Sequence, residues 1–216
     1  MGTFQLSSGL LLAAAERGEL DAIQWTEIDA GGGLLVTVSN DALKARIPEV
    51  ERPIRLPASY AETIAICNAL GCLPPTQAVS DAIWSAAAVI VPPHGLVLTA
   101  ADTRLMNTVA WSIKHNDAID AHDLDLDLDP ALLVADVGKD WILDNGIGVR
   151  GAVNYGWRIN KTHLLKPLDH AHDAAHWDYS QVLRAVKREA VLNGTTIDLL
   201  DYLPGTVDEK FLEPYR

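Results

Sequence analysis

Cysteine is nearly missing from this sequence. Two thiols, Cys67 and Cys72, occur in 216 residues. Two cysteines cannot build a disulfide framework, so a reducing compartment is the default expectation. Positive charge is also scarce, with 17 Lys and Arg against 29 Asp and Glu and a formal net charge of −12. Such a surface repels a phosphate backbone, which argues against nucleic acid as a partner. No apolar run reaches the roughly 18 residues that a bilayer-spanning helix needs, so a membrane is not an expected partner either. What is present is ordinary globular material. Apolar residues make up 49% and charged residues 21%, too apolar and too weakly charged for a disordered chain.

The first residues do not read as a secretory leader. The first basic residue, Arg17, comes after the short apolar stretch Leu10 to Ala15 rather than before it. The chain is therefore expected to be cytoplasmic as synthesised, with lysis or non-classical export as its routes out.

The pattern of apolar residues and turn formers predicts a single α+β domain over 1–216, with an N-terminal helix and hairpin in 1–50 and a functional core in 59–190. Residues 6–20 read as a helix. Two alternating runs around Gly31, Gly32 and Gly33 read as a hairpin. Ser59 with Glu62 forms a capping-box signature for a helix over 59–70, which Gly71 should end. Thr76 caps a second helix over 77–88. Residues 48–57, rich in Pro and charge, are expected to be loop, residues 102–115 a helix, and 180–188 another. Asn193-Gly194 is the signal of a tight hairpin.

Chemistry-bearing residues crowd one short stretch. His163, His170, His172 and His176 lie within 14 positions, and the last three sit among Asp169, Asp173 and Asp178. On a helix, His172 and His176 share a face at i, i+4, a spacing used to grip zinc. The string His-Asp-Ala-Ala-His has Asp where the zinc-peptidase motif has Glu. The expected cofactor is none. Zinc on His170, His172 and His176 is the alternative. Without metal, imidazole remains the usual general base near neutral pH. In the bland reading the cluster is a solvated loop, with Asp178 or Ser180 as a helix N-cap and Gln181 reaching back.

Cys72 follows Gly71 and precedes a capped helix, where a thiol can become nucleophilic; the competing reading is a small buried hydrophobe. Ser180 lacks a Gly-x-Ser-x-Gly elbow, but Lys139 is a candidate base for it. Asp140 with Asp178 would make a carboxylate acid/base pair of the glycosidase kind. Tyr155-Gly156-Trp157 places a glycine between aromatics, where a ligand can come close to the backbone. With Trp177 and Tyr179, these aromatics are the expected substrate-binding walls. Asp123, Asp125, Asp127 and Asp129 suggest calcium by spacing, but Leu128 and Val134 stand where an EF-hand needs Gly and Glu.

The segments Gly71-Cys72-Leu73-Pro74, Gly138-Lys139-Asp140, Asn154-Tyr155-Gly156-Trp157, His172 and Asp178-Tyr179-Ser180 resemble those of a group of bacterial and phage-associated proteins with no assigned activity. The resemblance covers most of residues 60–190. It implies a shared fold and a shared pocket of Lys139, Tyr155, Trp157, His172, Asp178 and Ser180. The residues lead to two expectations. One is a hydrolase acting on a carbohydrate or cell-wall-like polymer through the His/Asp/Lys/Ser cluster, with a polymeric or small-molecule substrate. The other is a non-catalytic binding or structural module, such as a phage-particle component or a carbohydrate-binding domain. Oligomeric state is not legible in the sequence.

Overall fold

A computed structural model of the chain describes residues 6–97, 99–121, 131–144 and 151–216. The aspartates at 123, 125, 127 and 129 fall outside the described residues. In chain order come helix α1 (Leu10–Glu16), strands β1 (Trp25–Asp29) and β2 (Leu34–Ser39), and strands β3 (Lys44–Ile47) and β4 (Val50–Arg55). Next are α2 (Tyr60–Leu70), β5 (Cys72–Leu73), α3 (Gln77–Ala86), β6 (Val89–Ile90) and α4 (Val109–Asp120). Strands β7 (Val134–Ala135), β8 (Lys139–Trp141), β9 (Asn154–Asn160), β10 (His163–Asp169) and β11 (Gln181–Val182) follow. The chain closes with β12 (Val186–Leu192), β13 (Thr195–Asp198), α5 (Leu199–Tyr202) and α6 (Glu209–Leu212). Helices and mostly antiparallel strands mix in an α+β fold, as the sequence pattern implies. No helix among the described residues is long and apolar enough to cross a membrane.

Local chemistry explains the elements that the sequence announces. Ser59 Oγ accepts from the Glu62 amide at 3.2 Å and Glu62 Oε2 accepts from the Ser59 amide at 2.7 Å, a complete capping box on α2. Gly71 ends that helix at φ 63, a left-handed conformation that glycine adopts without penalty. Thr76 Oγ1 accepts from the Val79 amide at the start of α3. Asn193 and Gly194, at φ 49 and 82, turn β12 into β13.

Three expectations fail. Residues 180–188 are not helical; they hold β11 and the start of β12. Residues 48–57 are not loop: β4 pairs with β3 in a two-stranded ribbon, where Pro53 is tolerated because no further strand needs its missing N–H. The helix expected over 102–115 begins later, at Val109, after a short 3-10 turn at Asp102–Arg104.

Two sheets matter. The larger has the order β1-β2-β12-β13, with β5 paired to β12. Val36, Val38, Leu73 and Val186 from this sheet are buried in the main core with Leu11 of α1 and Ile66 of α2. The smaller sheet has the order β10-β9-β8-β11. Its two edge strands, β10 and β11, are consecutive in the chain, so residues 170–180 must pass from one edge of the sheet to the other. That crossing carries His170, His172, His176, Asp178 and Ser180.

Candidate active site

The smaller sheet sorts the candidate residues by face. Side chains alternate along a strand, so Lys139 and Trp141 point to one side of β8 and Asp140 to the other. Register extends this across the sheet: Trp141 faces Asn154, which faces Asp169, and Lys139 faces Gln181. One face therefore carries Asp169, Asn154, Trp141, Lys139 and Gln181. The opposite face carries Asp140 and its partner Tyr155.

A kink in β9 brings in one more residue. Gly156 has φ 119 and Trp157 has φ 55, two successive residues outside the ordinary strand region. A bulky side chain at positive φ costs on the order of 1–3 kcal/mol and persists only where surrounding contacts hold it. Asp136, itself at φ 60, supplies those contacts: its carboxylate accepts from the amides of Trp157 at 3.2 Å and Arg158 at 2.9 Å. The kink turns the Trp157 ring toward Lys139, whose Nζ lies 5.6 Å from the ring centroid, and sends Arg158 to the other face.

Asp178 is the hub of the first face. Its Oδ2 pairs with Lys139 Nζ at 3.2 Å, and its Oδ1 accepts from the Ser180 amide at 2.8 Å and from Ser180 Oγ. His176 Nε2 stands 3.8 Å from the same Oδ2. Burial alone would raise the Asp178 pKa. The facing His176, Lys139 and Ser180 reverse that and hold the carboxyl well below the usual carboxylate range. Gln181 Oε1 accepts from the Asp178 amide at 2.6 Å. Asp178, Ser180 and Gln181 thus make the hydrogen bonds of a helix cap around one turn, but a strand follows. Gly138 permits this closeness: a Cβ there would lie 2.7 Å from the Ser180 carbonyl oxygen.

The two reachable groups are imidazoles. His172 and His176 stack with centroids 3.9 Å apart and planes 9° from parallel. They are not on a helix. A turn between Asp173 and His176 brings them together, closed by the His176 amide to the Asp173 carbonyl. Each ring faces a carboxylate: His172 Nε2 lies 3.9 Å from Asp169 Oδ2, and His176 looks at Asp178. Burial lowers the His172 pKa, and the charges of His176 and Lys139 lower it further against the pull of Asp169 and Asp178. Burial and these charges therefore favour the neutral ring at His172.

Behind them sits an aromatic cluster of Trp111, Trp157 and Tyr179. His115 of α4 packs its ring 5.0 Å from Tyr179 and 6.2 Å from Trp157. Burial, with Arg55, His94 and Lys139 nearby, pushes the His115 pKa down to about 3, so the ring is neutral. The Tyr179 hydroxyl is engaged, accepting from the Leu96 amide at 2.8 Å. The Trp177 carbonyl accepts from Asn107 Nδ2 at 2.6 Å, which anchors the crossing segment.

The structure thus brings together Lys139, His172, His176, Asp178, Ser180 and Trp157, and it separates other candidates from them. Asp140 lies on the far face with Ser80, whose Oγ donates to it at 3.2 Å. Burial and the charge of Asp136 push its carboxyl up to about 6, against Arg184, Ser80 and Arg158. Its pairing with Asp178 as acid and base fails because β8 stands between them. Tyr155 is on that far face too, donating to Asp81 at 2.8 Å. Cys72 is not in the cluster: it is buried in the main core as a free thiol beside Cys67, whose thiol is pushed up by burial and then by Cys72. Ser180 has its hydroxyl bound to Asp178 and is 2% exposed, so its place is to fix the carboxylate rather than to attack.

The zinc set also comes apart. His170 faces Asp144 at 3.8 Å, away from the stacked pair. Two parallel rings cannot both aim a ring-plane lone pair at one ion about 2.0–2.1 Å away. Among the described residues no three His, Cys, Asp or Glu side chains are grouped to hold a metal ion.

Sequence reasoning missed Asn154, Gln181, His115 and Asp169 as site residues. The register of β8 to β11 places Asn154, Gln181 and Asp169, and the packing of α4 places His115.

No protein-family model matches the sequence, and neither curated proteins nor solved structures offer a match.

Proposed function

We propose that this protein is a hydrolase of a carbohydrate or cell-wall-like polymer, with His172 and His176 as its general base and general acid. The observation that carries the reading is the stacked, partly exposed imidazole pair, each ring facing a carboxylate. Two adjacent imidazoles can divide the work, one taking a proton from water while the other, in its protonated form, gives one to the leaving group. Asp169 and Asp178 orient the rings and favour the imidazolium as it forms. Lys139 and Ser180 act through Asp178, keeping it ionised and in place. Trp157 and Trp177 wall the approach.

The test is hydrolysis of peptidoglycan, chitin and cellulose oligomers, read as release of reducing ends and of free amines. The wild-type chain should release one of these. His172→Ala and His176→Ala should each lower the rate by roughly 10²–10⁴-fold, the usual contribution of a positioned acid or base. No release from any substrate, or variants as active as wild type, contradicts the proposal. The latter result would leave a non-catalytic binding module as the better reading.

A further inference from the structure

A cavity of about 530 Å³ lies apart from the histidine pair, neither ring of which lines it. That volume is within the range of small-molecule sites. The cavity sits where the two sheets meet α3 and α5. Leu73 of β5 and Val186 of β12 come from the larger sheet, Leu168 of β10 from the smaller, Val79 from α3 and Leu199 from α5. Leu73, Val79, Val186 and Leu199 are buried members of the main core, so the core itself is the cavity floor. Leu168 and Tyr202 also line it and are 36% and 39% exposed, so apolar surface continues out to the mouth.

The charge on its wall has one sign. Among the described residues Asp81 and Asp144 line the cavity, and no Lys, Arg or His does. Asp81 is answered from outside the cavity by Arg158 and Tyr155. Asp144 is answered less closely. Its side chain is 9% exposed, and the His170 Nε2 that faces it stands 3.8 Å from Oδ2, beyond hydrogen-bond distance. The Leu143 amide donates to the Pro75 carbonyl and Leu143 bridges to Thr76, which fixes Asp144 beside the entry to α3.

These walls select a ligand by charge and by body. A carboxylate in apolar surroundings gains most from a cation brought to it. An anionic ligand would meet two carboxylates. A bare metal ion would find no group of three His, Cys, Asp or Glu side chains among the described residues. We propose that the cavity binds an organic cation, an amine carried on an aliphatic or aromatic body. The body lies against Leu73, Val186 and Leu199, and the ammonium pairs with Asp144. The inference does not rest on the hydrolase reading, which polymer cleavage tests separately.

Three probes of one shape and different charge test it: phenethylamine, phenethyl alcohol and hydrocinnamate. Each is titrated into the full chain while NMR follows the methyls of Leu143, Leu199 and Val207, which line the cavity, and the rings of His172 and His176. Phenethylamine should shift the methyls saturably and leave the rings still. Phenethyl alcohol should bind about tenfold more weakly, and hydrocinnamate more weakly again. Asp144→Asn should weaken the amine about tenfold and leave the alcohol unchanged, a charge-selective loss that a merely structural role would not give.

The inference is overturned if the amine gives no saturable methyl shift up to about 10 mM, or if its shifts fall on the histidine rings instead. It is overturned equally if the alcohol or hydrocinnamate binds as tightly as the amine, or if Asp144→Asn binds the amine as well as wild type. The wild-type series decides the matter alone if that variant does not fold.

Discussion

The two faces of the β8–β9 ladder are built from similar residues and treated in opposite ways. On the face toward α3, the charged groups answer one another. Arg158 pairs with Asp81 and with Asp136 at 3.4 Å, Tyr155 donates to Asp81, and Asp140 accepts from Ser80. On the other face Asp178 is fully engaged, but among the described residues Asn154, Gln181 and Trp157 keep buried polar atoms without partners. A closed network rigidifies the fold, whereas an open one contributes less to it. The same contrast holds for the cavity of about 240 Å³ lined by Asp41, Lys44, Arg52, Arg55 and Asp120. Its cations are already paired with its own carboxylates.

The largest expected effect comes from removing the hub. Asp178→Ala leaves Lys139 buried without a counter-ion and Ser180 without an acceptor, and should cost about 3–5 kcal/mol. Urea denaturation measures it, and a loss under about 1 kcal/mol would mean that Asp178 is not holding the site together.

His115 should give the next largest effect, seen as acid sensitivity. Its pKa is depressed from 6.5 to about 3 on folding, so the unfolded chain binds the extra proton. Stability contributed by the neutral ring is present above pH 6.5 and is lost as pH falls toward 3, amounting to as much as about 4 kcal/mol. A plot of unfolding free energy against pH should be flatter in His115→Leu than in wild type over that window. Parallel curves would show that this ring does not couple folding to protons.

Arg158→Met breaks the closed face. It should destabilise by about 2 kcal/mol through the lost charged hydrogen bonds, yet leave the NMR titration midpoint of His172 unchanged. A shifted midpoint would mean that the two faces do not work separately.

The sequence shows its local devices well. Ser59 with Glu62, Thr76, Gly71 and Asn193-Gly194 each act through neighbours a few positions away, so their spacing alone reveals them. Residues 180–188 mislead for the same reason. Asp178, Ser180 and Gln181 do make capping bonds, but pairing of Gln181 with Lys139 and of Val186 with Val38 and Leu73 decides for strand, and those partners lie 40 to 150 positions away. The histidine site was half legible. Composition drew attention to His172, His176, Asp178 and Lys139. The i, i+4 spacing of His172 and His176 predicts a shared helix face, but a turn joins them. Lys139 and Asp140 look like a pair in sequence, but a strand sends them apart. Asn154 and Gln181 carry no sign in sequence of sharing a face with Lys139, and only strand register shows it.

A pH titration of the two rings by NMR shows whether His172 and His176 act as one coupled acid/base unit. In the intact chain His172 should titrate below the ordinary histidine value of 6.5, and in His176→Ala its midpoint should move up toward that value. A His172 that titrates at its ordinary value, or whose midpoint ignores the loss of His176, would contradict the account.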